Sequence, residues 1–203
     1  MATSAGFRLR APAAIGHTPS VGNDEHLREQ PTGRREEFSG RLLRVYVDTV
    51  TTADGSSHSR EVVVHPGAIA VAATDEEGRI LLVRQWRHPV ERALWEIPAG
   101  TREPNEEPDA TARRELGEET GYSAAVWETL GAAPLAPGYS TEVIHFYAAR
   151  QLTEGQSHPD EGENVEARLF TAAEIAGLIA TGEIDVKTIA GLALAGIPVA
   201  SRD

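Results

Sequence analysis

Between Gly100 and Tyr122 the chain reads GTREPNEEPDATARRELGEETGY, with five glutamates from Glu106 to Glu119. Glu115 and Glu119 are one helical turn apart and Glu118 lies three residues from Glu115, so a helix would place all three carboxylates on one face. Like charges so arranged repel, and an isolated helix gains nothing from them. A hard divalent cation, Mg²⁺ or Mn²⁺, takes carboxylate, carbonyl and water oxygens, and converts that repulsion into coordination. The plain alternative is a solvated face laced by pairs such as Arg114 with Glu118, each worth about 0.2–0.5 kcal/mol.

The element that must carry these residues is a helix over about 108–120. Pro108 suits the first helical position, Asp109 favours the positive helix end and Gly121 suits the C-terminal stop. Its only large apolar side chain is Leu116, helped by Ala110 and Ala112, so packing accounts for little of the segment. Before it, FSGRLLRVYVDTV and REVVVH alternate around a turn at Asp54-Gly55 and predict an antiparallel ribbon. GAIAVAATDEEGRILLVRQWR predicts a hairpin turning at Gly78, and LWEIPAG a further short strand. AVWETLGAAPLA, EVIHFYAAR and VEARLF follow as strands, then AAEIAGLIATG and VKTIAGLALAG as helices ending at glycine. This order predicts an α+β fold in which helices layer against a sheet.

Residues 1–36 mix small, polar and charged residues without periodicity and read as a disordered or partner-ordered tail. Arg8 and Arg10, with no acid before Asp24, leave an organelle leader as an alternative for that tail. The remaining 37–203 read as one domain, with a ribbon over 37–66 and a catalytic core over 67–203. A net charge of −12 argues against nucleic-acid binding, so an anionic substrate must be met locally by arginines or metal. No apolar stretch reaches the ~20 residues of a membrane span. The absence of cysteine removes disulfides and thiolate chemistry, and fits a reducing, cytoplasmic setting. Lys187 is the only lysine, which nearly excludes Schiff-base chemistry and a P-loop.

The acidic segment resembles the Nudix box at Gly100, Glu106, Arg114, Glu115, Leu116, Glu118, Glu119, Gly121 and Tyr122, where only the aromatic Tyr122 departs from the usual aliphatic. The resemblance implies an α/β/α sandwich with a mixed sheet, and a hydrolase of nucleoside diphosphates linked to another group. It implies Glu115 and Glu119 as metal ligands, the Ala99 carbonyl as an additional one, Glu118 in support, and Arg114 with Glu106 tying helix to loop. A diphosphate could not approach these carboxylates without cations, so metal, Mg²⁺ or Mn²⁺, is expected to be obligatory.

LWEIPAG ahead of the box and Pro137 in LAPGYSTE, fifteen residues past Tyr122, look like the ADP-ribose pyrophosphatase branch, although a proline there also suits a simple loop. That branch implies a homodimer whose ribbon helps build the pocket, with Arg60 and Arg87 on the phosphates. Trp86, Phe38, Tyr46 and Tyr139 are candidates to stack on a base, the alternative for each being ordinary packing. Glu96 is either a support for the metal site or an ordinary strand carboxylate. For the base that activates water, the branch implies a glutamate from the loop HPDEGENVEARLF; Glu161 and Glu163 both fit, with Glu163 preferred as nearer the strand. The alternatives are cleavage of a UDP- or GDP-hexose and a ligand-sensing module without turnover. A calcium-binding structural role lacks its Asp-rich loop.

Overall fold

Strand β4, Ala68–Thr74, has no polar residue before Thr74, a pattern expected only where a strand is covered on both faces. A computed structural model of the chain describes residues 24–158 and 164–199. In it β4 is the middle of a mixed sheet ordered β10-β5-β4-β9-β8. Here β5 is Ile80–Arg87, β8 is Tyr122–Pro134, β9 is Val143–Glu154 and β10 is Val165–Phe170. Two short strands complete the sheet, β6 (Arg92–Glu96) beside β5 and β7 (Ala99–Thr101) beside β4. The β4–β9 pair is parallel, while β10–β5 and β8–β9 are antiparallel.

Alternate β4 residues serve two cores, as strand geometry requires. Ala68, Ala70 and Ala72 pack with Ile80, Leu82, Ile97, Phe146, Ile175 and Leu192, the last two from helices α2 (Ala172–Thr181) and α3 (Val186–Leu194). Ile69, Val71 and Ala73 pack on the other face with Leu81, Ala112 and Leu116 of helix α1 (Pro108–Thr120). The result is the expected α/β/α layering, with α1 alone on one side among the described helices. Helix α1 starts at Pro108 and ends at Gly121, whose φ of 76° is left-handed and suits a residue without Cβ.

This sheet and its helices form one compact unit, Pro66–Pro137 with Glu142–Asp203; the other is Met1–His65 with Gly138–Thr141. The second unit holds a separate antiparallel ribbon of β1 (Gln30–Ser39), β2 (Arg44–Thr51) and β3 (Ser57–Val64). Residues 138–141 join its β3 edge, where Val63 N–H donates to the Tyr139 carbonyl at 2.7 Å.

Three expectations need correction. Residues 30–36 belong to β1 rather than to a tail, so strand pairing begins before residue 37. Phe38 and Ser39 lie in β1 and not in one strand with Val45, because the chain turns at Gly40, whose N–H donates to the Leu43 carbonyl at 2.9 Å. LWEIPAG is divided between β6 and β7. Strand β1 was hidden because almost all of it is exposed, so no apolar alternation marks it; its hold on β2 includes a two-pronged ion pair of Arg34 with Asp48, both contacts 2.6 Å.

Candidate active site

Helix α1 and strand β7 bring the box residues together. Arg114 spans its centre: Nε and Nη2 donate to the two Glu106 oxygens at 3.0 Å each, and Nη1 donates to Glu115 Oε1 at 2.9 Å and Glu118 Oε2 at 2.8 Å. The Arg114 guanidinium holds the Glu106 carboxyl down at about 2, and Glu106 in turn raises the arginine. Glu106 also accepts from the Glu103 N–H at 3.2 Å, so the loop before α1 is tied to the helix as expected.

Glu119 is 6% exposed and accepts the Ala99 N–H at 3.0 Å. The Glu115 carboxylate lies against the backbone of Gly100 in space that a Cβ there would fill. Glu115, Glu119 and the Ala99–Gly100 backbone thus face each other across the helix–strand junction. This set of hard oxygens suits a divalent cation, and the missing Cβ gives Glu115 room to serve it. Among the described residues no three acid or histidine side chains form a ready metal-holding group, and Arg114 is paired with three box carboxylates, Glu106, Glu115 and Glu118.

At the end of β5, Arg87 is fixed by Glu96, with Nε to Oε1 at 2.7 Å and Nη2 to Oε2 at 2.5 Å. Its raised pKa comes first from that bond and includes the field of Glu119, which places Arg87 within electrostatic reach of the box. Glu96 is 2% exposed; burial pushes its pKa up, but Arg87 and Lys187 outweigh burial and hold it below the ordinary value. The Glu96 carboxylate is thus shared between two cations, Arg87 and Lys187.

The other expected residues are placed as follows. Trp86 and Tyr139 are largely exposed, and Pro137 sits in an exposed turn after β8. Arg60 lies in the ribbon unit, where it pairs with Glu29. Tyr46 lies under Arg34, 4.5 Å from guanidinium carbon to ring centre, while Phe38 is exposed. Glu161 and Glu163 lie outside the described residues. The chain before them is anchored to α1: His158 N–H donates to the Glu118 carbonyl at 3.0 Å, and Gly155–Ser157 pack against Gly121 so tightly that a Cβ there would be 2.7 Å from Ser157 N. After them, β10 pairs Val165 with Gln85, two residues from Arg87.

Sequence reasoning missed the part played by Lys187 and Asp185. The available signal was the lone lysine, set beside an aspartate that caps α3.

The NUDIX domain pattern matches residues 63–190. The chain is 41% identical over 165 residues to the ADP-ribose pyrophosphatase of Bacillus subtilis (strain 168), covering 80% of this chain and 89% of that protein. It is also 41% identical over 167 residues to the methanol dehydrogenase activator of Bacillus methanolicus, covering 80% and 90%. A crystal structure of an ADP compounds hydrolase superposes with a TM-score of 0.73 at 19% identity, covering 83% of this chain and 92% of the other, a likeness of fold. The chain belongs to the NUDIX domain family.

Proposed function

We propose that this protein is a metal-dependent pyrophosphatase that hydrolyses ADP-ribose to AMP and ribose 5-phosphate. The observation that carries the reading is the facing of Glu115 and Glu119 on α1 with the Ala99–Gly100 backbone of β7, in a chain 41% identical to a named ADP-ribose pyrophosphatase. Pro137 at the distance expected for that branch supports it.

Glu115, Glu119 and the Ala99 carbonyl, with Glu118 in support, would hold the metal, which we take to be Mg²⁺ with Mn²⁺ as substitute. When bound, it supplies the positive charge the diphosphate needs and makes the attacking water more acidic. Arg114, braced by Glu106, keeps Glu115 and Glu118 oriented between turnovers. Arg87 contributes a fixed positive charge for the diphosphate, and the exposed Trp86 of the same unit offers a face for the adenine. Glu163, or else Glu161, accepts the water proton as the water oxygen bonds to one phosphorus and the bridging P–O bond breaks. Balance is complete, one water entering and two phosphomonoesters leaving.

We place the protein in the cytoplasm as a homodimer paired through the ribbon, a reading supported by the absence of cysteine and by the exposed Phe38 and Leu42 at the β1–β2 turn. Among the described residues no helix is long and apolar enough to cross a membrane. The Bacillus methanolicus relative favours a second reading, in which the same hydrolytic centre serves a dehydrogenase partner.

The test is incubation of the purified protein with ADP-ribose and Mg²⁺, with products separated by chromatography. Equal amounts of AMP and ribose 5-phosphate, lost on chelation, are expected. Stimulation of a dehydrogenase without release of AMP from free ADP-ribose would move the assignment to the second reading.

A further inference from the structure

Behind the exposed edge of Arg87 runs a chain of alternating charges, Arg87, Glu96, Lys187 and Asp185. Arg87 spends Nε and Nη2 on the two oxygens of Glu96, which leaves Nη1 outside that pair. Lys187, 11% exposed on the first turn of α3, donates to the same Glu96 Oε2 and to Asp185 Oδ2. The turn itself is locked to the strand that leads into the box. Thr188 N–H donates to Asp185 Oδ1 at 3.0 Å, and Thr188 Oγ1 accepts the Ile97 N–H at 2.9 Å.

One cation would suffice to neutralise Glu96, yet two converge on it. The second is the single lysine of a chain that otherwise uses arginine for its fixed positive charges. A planar guanidinium can cover one edge of a carboxylate, but the remaining approach must also reach Asp185, and a compact ammonium with three donors meets both acids at once. With Lys187 in place, Glu96 and Asp185 are already balanced. The guanidinium of Arg87, 40% exposed, then keeps its outward charge for a ligand. Without Lys187, Arg87 would be the only cation among this set facing two carboxylates, and both would draw it inward.

We propose that Lys187 and Glu96 are positioning residues for Arg87, holding its guanidinium in the orientation that meets the substrate diphosphate. This rests on the reading of Arg87 as a diphosphate-binding residue. Lys187 is screened by Glu96 and acts through it, without touching the reacting atoms.

The experiment is a double-mutant cycle of Lys187→Met and Arg87→Gln, read as KM and kcat separately. K187M should raise KM for ADP-ribose roughly 10-fold and leave kcat within about 3-fold, the pattern of lost uniform binding. In the R87Q background K187M should add nothing further. Should K187M fail to fold, Glu96→Gln, which keeps the side-chain shape, must give the same rise and the same disappearance in R87Q. Equal effects in both backgrounds, or a loss confined to kcat, would overturn the proposal while leaving ADP-ribose hydrolysis intact. If the wild type turns over GDP-mannose instead, the substrate reading falls and the same cycle on GDP-mannose decides Lys187. Silence on both substrates overturns both.

Discussion

Gly100 and Glu115 share one space: a Cβ built on Gly100 would lie 1.9 Å from Glu115 Cδ and 2.0 Å from Oε1. The glycine of the box is therefore required by the approach of a carboxylate, not by backbone dihedrals. Gly100→Ala should displace the Glu115 carboxylate from the β7 backbone. Because only the end of the flexible Glu115 side chain must move, the protein should fold with little loss of stability while turnover falls sharply. Urea denaturation beside activity assays reads both; unchanged activity in G100A would remove Glu115 from the site.

Glu115→Gln and Glu119→Gln should retain the fold and lose activity by orders of magnitude. Relief of like-charge repulsion on the helix face favours a gain in stability of the metal-free protein from either change. The geometry limits that gain for Glu115, because Arg114 already offsets its charge. For Glu119 the amide still accepts from Ala99 N–H, so little change in Tm is expected. Circular dichroism melts with and without chelator, paired with rates, check this. Near-normal rates in both variants would contradict a metal role.

Glu106 makes the site's stability depend on acid. Arg114 lowers its carboxyl from an ordinary 4.5 to about 2 in the folded protein. A folded pKa below the unfolded one means that the stabilisation is fully present above about pH 4.5 and fades as pH falls toward 2. The stability difference between wild type and Glu106→Gln, measured in urea with chelator, should be constant above pH 5.5 and shrink by pH 3. A difference that grows on acidification has the wrong sign for this pair.

How much of this could be read from the chain is decided by range and by exposure. Helix α1 was legible because Pro108 and Gly121 punctuate it locally, and the carboxylate face followed from turn spacing. Strand β4 was legible from its unbroken apolar run. The start of β1 was not, since Gln30–Ser39 is polar and solvated and its partners lie in β2. The Glu96–Lys187 pair was not, because 91 residues separate the two and only the packing of α3 on the sheet, against β4 and β9, brings them together. Arg87 was picked out, but its dependence on Glu96 was not.

The proposed water-activating base is Glu163, with Glu161 as the alternative, both in the stretch between His158 and the start of β10 at Val165. Glu163→Gln should lower kcat by roughly 10²- to 10⁴-fold with little change in KM, and Glu161→Gln should have a smaller effect. The reverse order would assign the base to Glu161. Normal kcat in both would put it elsewhere.

The claim of ADP-ribose hydrolysis is tested most directly by competition. ADP-ribose, UDP-glucose and GDP-mannose are mixed at equal concentration with the enzyme and Mg²⁺, and the disappearance of each is followed by chromatography. ADP-ribose should be consumed first, with AMP and ribose 5-phosphate appearing together and all consumption stopping on chelation. Preferential consumption of UDP-glucose or GDP-mannose, with ADP-ribose left intact, would contradict it.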